Sequence, residues 1–159
     1  MLLAIDVGNT NIVLGVFEGE SLRRSWRLQT LRERTADELG LLVHGLFAHD
    51  GIERAQVTDI VLASVVPPLT GTTVAMAERY LGGRVLVVDP ANAGMPIHVV
   101  NPAEVGADRI VNAVAAFERY GRSGGRPLIV CDFGTATTLD AVTADGAYLG
   151  GAKIGRAHV

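Results

Sequence analysis

The chain alternates short apolar runs with tight polar turns, and the order of these elements recurs. Residues 2–5 are apolar, Asp6-Val7-Gly8-Asn9-Thr10-Asn11 breaks the run, and residues 12–17 resume it. Two such runs around a Gly-Asn turn predict a hairpin. Glu18-Gly19-Glu20 predicts a second turn, and residues 21–30, with Leu22, Trp26 and Leu28 among Arg and Ser, predict a third strand. Together these make a three-stranded meander. The period then lengthens. Thr35-Ala36-Asp37-Glu38 has the form of a capping box, and Leu39, Leu42, Val43, Leu46 and Phe47 behind it fall on one helical face.

Residues 59–66 are apolar and β-branched without alternation, which predicts a strand buried on both faces in a parallel sheet. Pro67-Pro68 closes that strand. A helix follows over about 69–81, with Gly82 at its C-terminal cap, and then a short strand over 84–88. A meander followed by helix, strand, helix and strand is an α/β order. Residues 90–102 carry Pro90, Gly94, Pro96 and Pro102 and predict an irregular loop, the kind of segment that often carries substrate contacts. Glu104-Val105-Gly106-Ala107-Asp108-Arg109 opens a helix running to about Tyr120, with Ile110, Ala113, Val114 and Phe117 as its buried stripe. Gly121 stops it, and Ser123-Gly124-Gly125 reads as a flexible joint.

The opening order then returns. Leu128-Ile129-Val130-Cys131 is an apolar run that ends in Asp132-Phe133-Gly134-Thr135-Ala136-Thr137-Thr138. Residues 139–142, a turn at Ala144-Asp145-Gly146 and a further strand from Ala147 complete a second meander. A repeat of this length is far too long for a solenoid unit. It predicts two lobes, over residues 1–122 and 126–152, each opening with its own Asp-x-Gly loop. Two facing loops of this kind can hold the phosphates of one ATP.

The chemistry of the loops supports that reading. Glycine lets backbone approach an anion closely, and successive N–H groups with Asn and Thr side chains can donate to phosphate oxygens. A carboxylate beside phosphates makes sense with a cation between them, so Asp6 suggests Mg²⁺. The same residue types suit an ordinary turn, and on the first loop alone the two readings weigh equally. Its echo at Asp132 shifts the balance. Asp108 and Arg109 are open to two readings as well. An acid in the first helical turn and a surface arginine are ordinary, yet together they present an acid and a cation at a positive helix end, suited to an anionic substrate.

Composition narrows the classes. The chain has 159 residues, 48% of them hydrophobic, enough for one domain or slightly more. A net charge of −3 leaves no basic footprint for nucleic acid. No apolar run reaches membrane-spanning length and no leader is evident at the N-terminus, so the expected location is cytoplasmic. The single cysteine, Cys131, excludes a disulfide framework or a cysteine-based zinc site. Of the 14 basic residues 13 are Arg and one, Lys153, is Lys, and no GxxxxGK[ST] or GxGxxG motif occurs. That excludes the Walker A and protein-kinase routes to nucleotide phosphates, which rely on a lysine.

Two Asp-x-Gly loops on duplicated lobes resemble the actin, sugar kinase and Hsp70 ATPase superfamily. Within it, Asp6-Val7-Gly8-Asn9-Thr10-Asn11, Gly106-Ala107-Asp108-Arg109 and Asp132-Phe133-Gly134-Thr135-Ala136-Thr137 resemble the type III pantothenate kinases, as does Asn101-Pro102 ahead of Glu104-Val105-Gly106. The resemblance runs from residue 1 to about 152. It implies a ribonuclease H-like (actin-like ATPase) α/β fold of duplicated lobes, the first complete and the second represented by its opening β-meander. It implies transfer of the ATP γ-phosphate to the primary hydroxyl of pantothenate, giving 4′-phosphopantothenate, the first step of coenzyme A biosynthesis. On this chain, Asp6, Val7, Gly8, Asn9, Thr10, Asn11, Ile12 and Val13 would bind ATP with Thr135. Gly106, Ala107, Asp108 and Arg109 would hold pantothenate, with Asp108 as general base and Arg109 on the substrate's charge or the transferring phosphoryl group. Asp132 would bind the monovalent cation, K⁺ or NH₄⁺, and the full-length protein would act as a homodimer. Many members carry a tyrosine shortly before the Asn-Pro, where this chain reads His98-Val99-Val100. A kinase for another small hydroxyl compound, or a non-catalytic regulatory protein retaining the nucleotide fold, are the alternatives; loss of Asp108 or Asp132 would mark the latter, and both are present.

The family's second lobe continues with a Gly-Gly-x-Ile-x-Pro-Gly motif. Here Gly150-Gly151-Ala152 begins it, and Lys153-Ile154-Gly155-Arg156-Ala157-His158-Val159 departs from it. From Ile154 this tail reads as the translation of a short-read sequencing adapter, so residues 153–159 are expected to be non-native and the chain to be an inactive fragment with exposed apolar surface.

Overall fold

A computed structural model describes residues 1–155, which form two compact units, Met1–Val87 and Val88 onward. The first holds β1 (Leu2–Val7), β2 (Asn11–Glu18), β3 (Ser21–Gln29), α1 (Ala36–His49), β4 (Asp59–Ser64), α2 (Pro67–Met76) and β5 (Arg84–Val87). Its five-stranded sheet has the order β3-β2-β1-β4-β5. The meander β1-β2-β3 is antiparallel, whereas β4 lies parallel to β1 and β5 parallel to β4. Alternation sets the core: Leu3, Ile5 and Val7 of β1, and Ile12, Leu14 and Val16 of β2, point inward and are fully buried or nearly so. Ile60 and Leu62 of β4 join them, with Leu39, Val43 and Phe47 of α1 and Leu69 and Met76 of α2.

Helix α1 starts as the sequence predicts. The Thr35 hydroxyl accepts from the Glu38 N–H at 3.2 Å, and the Glu38 carboxylate accepts from the Thr35 N–H at 2.8 Å. Its buried stripe is rotated from the predicted one. Leu42 is exposed, and Gly40 is buried instead. The Tyr80 ring packs so closely that a Cβ on Gly40 would stand 2.5 Å from it. Helix α2 begins two residues before the predicted start, because Pro67 and Pro68 occupy its first positions, where a missing N–H costs nothing. It runs on through a π-helical turn, Ala77–Leu81, and ends at Gly82 in the left-handed region, φ 73°.

The second unit holds a 3₁₀ turn (Pro102–Glu104), α3 (Ala107–Ala116) with a π-helical continuation (Phe117–Gly121), β6 (Leu128–Phe133), β7 (Thr137–Val142) and β8 (Tyr148–Ile154). The three strands form an antiparallel sheet, β6-β7-β8, and α3 packs on β6 and β7. The division between units falls at Val87–Val88, ahead of the joint expected at residues 122–126, because α3 packs against these strands. Ala113, Val142 and Tyr148 are its fully buried cluster, with Met95, Ile97, Val99, Val105, Phe117, Leu128 and Val130 around them. The predicted irregular loop is tied to β8 by a parallel bridge between Ile97 and Tyr148. Tyr148 N–H donates to the Pro96 carbonyl and its own carbonyl accepts from His98 N–H, each at 2.8 Å.

Of the tail expected to be non-native, Lys153 and Ile154 complete β8 opposite Thr138 and Thr137, while residues 156–159 lie outside the described residues. Among the described residues no helix is long and apolar enough to cross a membrane.

Candidate active site

In the first unit the predicted loop is shorter than the motif. Asp6 and Val7 lie within β1, where Asp6 pairs with Val13 on one side and Ala63 on the other. The turn itself is Gly8-Asn9-Thr10, closed by Gly8 N–H donating to the Asn11 carbonyl at 3.0 Å. It is fastened to the end of β3. Thr30 N–H donates to the Thr10 carbonyl at 3.0 Å, and the Thr30 hydroxyl to the Gly8 carbonyl at 2.7 Å. The Asp6 side chain is on the exposed face of the sheet, whereas Val7 and Ile12 are core residues. Whatever Val7 and Ile12 offer a ligand is therefore backbone, while Asp6, Asn9 and Thr10 can offer side chains.

In the second unit, Gly106 is the N-cap of α3 in extended conformation, and its carbonyl accepts from Arg109 and Ile110 N–H at 3.1 and 3.2 Å. Ala107 is buried, so its small side chain lets the first turn sit close to the protein. Asp108 is half-buried, and its Oδ1 accepts the backbone N–H of Arg109 at 2.7 Å. Arg109 reaches across to Asp140 on β7: Nε donates to Oδ1 at 2.8 Å, and Nη2 makes an ion-pair contact with the same oxygen at 2.6 Å. The Tyr148 hydroxyl donates to that oxygen too, at 2.6 Å. Burial disfavours charge on Arg109, yet the bond to Asp140 and the attraction of neighbouring acids hold its pKa above the usual value. Burial, followed by the bond to Asp140, pushes the Tyr148 hydroxyl well above its usual range, so it stays a proton donor.

Asp132 lies next to last in β6 and accepts from Asn112 Nδ2 at 3.3 Å. Asn112 is four residues past Asp108, on the same face of α3. One helix thus carries Asp108 and Arg109 and also steers Asp132. Thr135 is exposed on the turn that follows, where Gly134 N–H donates to the Ala136 carbonyl at 3.1 Å. Pattern reading missed Asn112, Asp140 and Tyr148. Asp140 had a usable signal, since an acid inside an apolar strand must find a partner when buried.

Among the described residues no three His, Cys, Asp or Glu side chains gather into a ready metal site. The donor sets nevertheless fit the ions the sequence implies. A single exposed carboxylate beside a glycine-led turn suits Mg²⁺, which takes one or two carboxylates and fills its shell with water and phosphate. At Asp132 the carboxylate supplies the oxygen donors a monovalent cation takes, and the Asn112 amide N–H holds that carboxylate in place.

A mixed sheet with a leading antiparallel meander, followed by a second meander that opens on the same motif, is an α/β architecture also found in solved kinase structures. A proposed N-acetylglucosamine kinase from Porphyromonas gingivalis matches 96% of this chain with a TM-score of 0.55 at 11% identity, over 47% of its own length. A proposed transcriptional activator of the Baf family from Campylobacter jejuni matches 98% with a TM-score of 0.54 at 17% identity, over 55% of its length. At such identities the likeness is one of fold.

The sequence relationship is closer. The type III pantothenate kinase family matches residues 2–154, and the chain belongs to that family. The type III pantothenate kinase of Anaeromyxobacter dehalogenans is 56% identical over 153 residues, which is 96% of this chain and 59% of that protein. That of Myxococcus xanthus is 57% identical over 152 residues, 95% of this chain and 58% of the relative. The chain therefore spans under two thirds of the length of these relatives.

Proposed function

We propose that the protein, at the full length of its relatives, transfers the γ-phosphoryl group of ATP to the primary hydroxyl of pantothenate. The observation that carries this reading is family membership over residues 2–154, with Gly106-Ala107-Asp108-Arg109 at the N-terminus of α3. The hydroxyl oxygen attacks the γ-phosphorus, the bond to the bridging oxygen breaks, and ADP leaves. Asp108 takes the hydroxyl proton. The hydroxyl loses that proton late, so a carboxylate suffices and catalysis rests on positioning and charge neutralisation. Arg109 meets the anionic part of the substrate. The Gly8-Asn9-Thr10 turn and Thr135 hold the nucleotide. Mg²⁺ held with the help of Asp6, and K⁺ or NH₄⁺ at Asp132, would neutralise phosphate charge when bound. A cytoplasmic homodimer is part of the same reading.

The test is pantothenate-dependent ADP release. A protein carrying this chain at full length should show it, and its absence with ATP, Mg²⁺ and K⁺ supplied would overturn the reading. Residues 1–159 alone should show none.

A further inference from the structure

The Arg109–Asp140–Tyr148 cluster is built more tightly than substrate contact at Arg109 requires. Asp140 is 1% exposed and Tyr148 is fully buried. Both partners sit on the antiparallel sheet, Asp140 on its central strand. Tyr148 is also fixed through its backbone, by Pro96 and His98. Opposite Asp140 in β8 stands Gly151. A Cβ there would lie 1.9 Å from the Leu139 carbonyl oxygen and 2.8 Å from Arg109 Nη2. The guanidinium thus rests against bare backbone, with Nε and Nη2 turned to one carboxylate oxygen. An arginine has five donors in a rigid fork, and committing one edge determines where the other points.

We propose that Asp140, backed by Tyr148, is a positioning residue for the kinase reaction: it fixes the Arg109 guanidinium so that Nη1 is presented to the anionic group of pantothenate. The proposal rests on the reading above, in which Arg109 meets the substrate's charge. Gly151 acquires a role here too, as the floor on which the guanidinium lies. The charge-assisted bond to Asp140 is what fixes the guanidinium: without it the arginine would still be cationic, but it would lose orientation at each binding event.

The experiment is steady-state kinetics on the protein at the full length of its relatives, with thermal melting recorded for every variant. Asp140→Asn keeps an acceptor oxygen but loses the charge-assisted bond. It should raise the pantothenate KM roughly tenfold while the ATP KM stays within about twofold, a split that a general loss of structure would not give. In an Arg109→Ala background the same substitution should change the pantothenate KM no further. Tyr148→Phe removes one donor to Asp140 and should raise the pantothenate KM about threefold, again with the ATP KM unmoved. A pantothenate KM within about twofold of wild type in folded Asp140→Asn overturns the proposal, as does an equal rise in the ATP KM, or a full effect in the absence of Arg109. If Asp140→Asn fails to fold, Tyr148→Phe decides by the same criteria. A wild-type protein without pantothenate-dependent ADP release would instead overturn the functional reading itself.

Discussion

Asp6 and Asp132 each stand next to last in a strand that leads into a turn beginning with glycine. The settings of the two hairpins differ. Strand β1 is the middle of five, with β2 on one side and β4 on the other, and its inward residues are buried. Strand β6 is the edge of a three-stranded sheet, with Ile129 67% exposed and Phe133 81% exposed. The turns differ as well. Val7 pairs with Ile12, whereas Phe133 pairs with Thr137, so the first hairpin holds one more residue. A repeated motif thus specifies a hairpin, and the neighbouring strands decide how firmly it is held.

The edges make the same point. Strand β3 is the outer strand of the first meander and an edge of its sheet, and it carries Arg23, Arg24 and Arg27. Charge on an edge resists pairing with other chains. It is also tied down: Arg24 Nε and Trp26 Nε1 donate to the Asp50 carboxylate at 3.0 and 2.8 Å. The outward residues of β6 are apolar, the composition that invites association.

Core substitutions should separate the two sheets most. Leu62→Ala, at a fully buried position of β4, should cost about 2–5 kcal/mol in urea denaturation followed by Trp26 emission. Ile129→Ala on β6 should stay within about 0.5 kcal/mol by far-UV circular dichroism. Equal losses would erase the contrast. Next in size is self-association. The pair Ile129→Lys and Phe133→Glu should lower the weight-average mass in sedimentation equilibrium, while Arg24→Ala should leave it nearly unchanged; the reverse order would mean that β3 is the adhesive edge.

The turns should differ by less. A Cβ on Gly8 would stand 3.1 Å from the Asn11 carbonyl oxygen, whereas one on Gly134 would find ordinary contact at 3.7 Å. Gly8→Ala should therefore destabilise by about 1 kcal/mol, and Gly134→Ala by less than half of that. Similar effects at both sites would show that the extra residue of the first turn is without consequence. The smallest effect belongs to the β3 tether. The hydrogen bonds from Arg24, then Trp26, lower the Asp50 pKa below the ordinary 3.8. Its contribution is therefore present above pH 3.8 and lost as pH falls through the lower folded value. Trp26 emission should titrate below pH 3.8, and Asp50→Asn should abolish that transition.

Much of this was legible locally. The capping box at Thr35 and Glu38, the stop at Gly82, both hairpins and the α/β order follow from periods and turn residues a few positions apart. Asp108 and Arg109 stood out for the same reason. The start of α2 was misplaced because Pro67-Pro68 ends a strand and begins a helix equally well. Leu42 was misassigned because helical periodicity gives a stripe without fixing its centre, and the centre was set by Tyr80 against Gly40. Asp140 passed as one residue of an apolar strand. Its partners are 31 residues before it and 8 after it, and no local pattern links them.

The amino-acid sequence by itself determined the order of elements, the recurrence of the Asp-x-Gly hairpin and the family, because these are written in short-range spacing. Tertiary structure decided which face of α1 is buried, that α3 packs with the second meander, and that Arg109 spends one edge of its guanidinium on Asp140. Those outcomes depend on which surfaces meet across a sheet. Burial then requires every charge so enclosed to find a partner, wherever along the chain that partner lies.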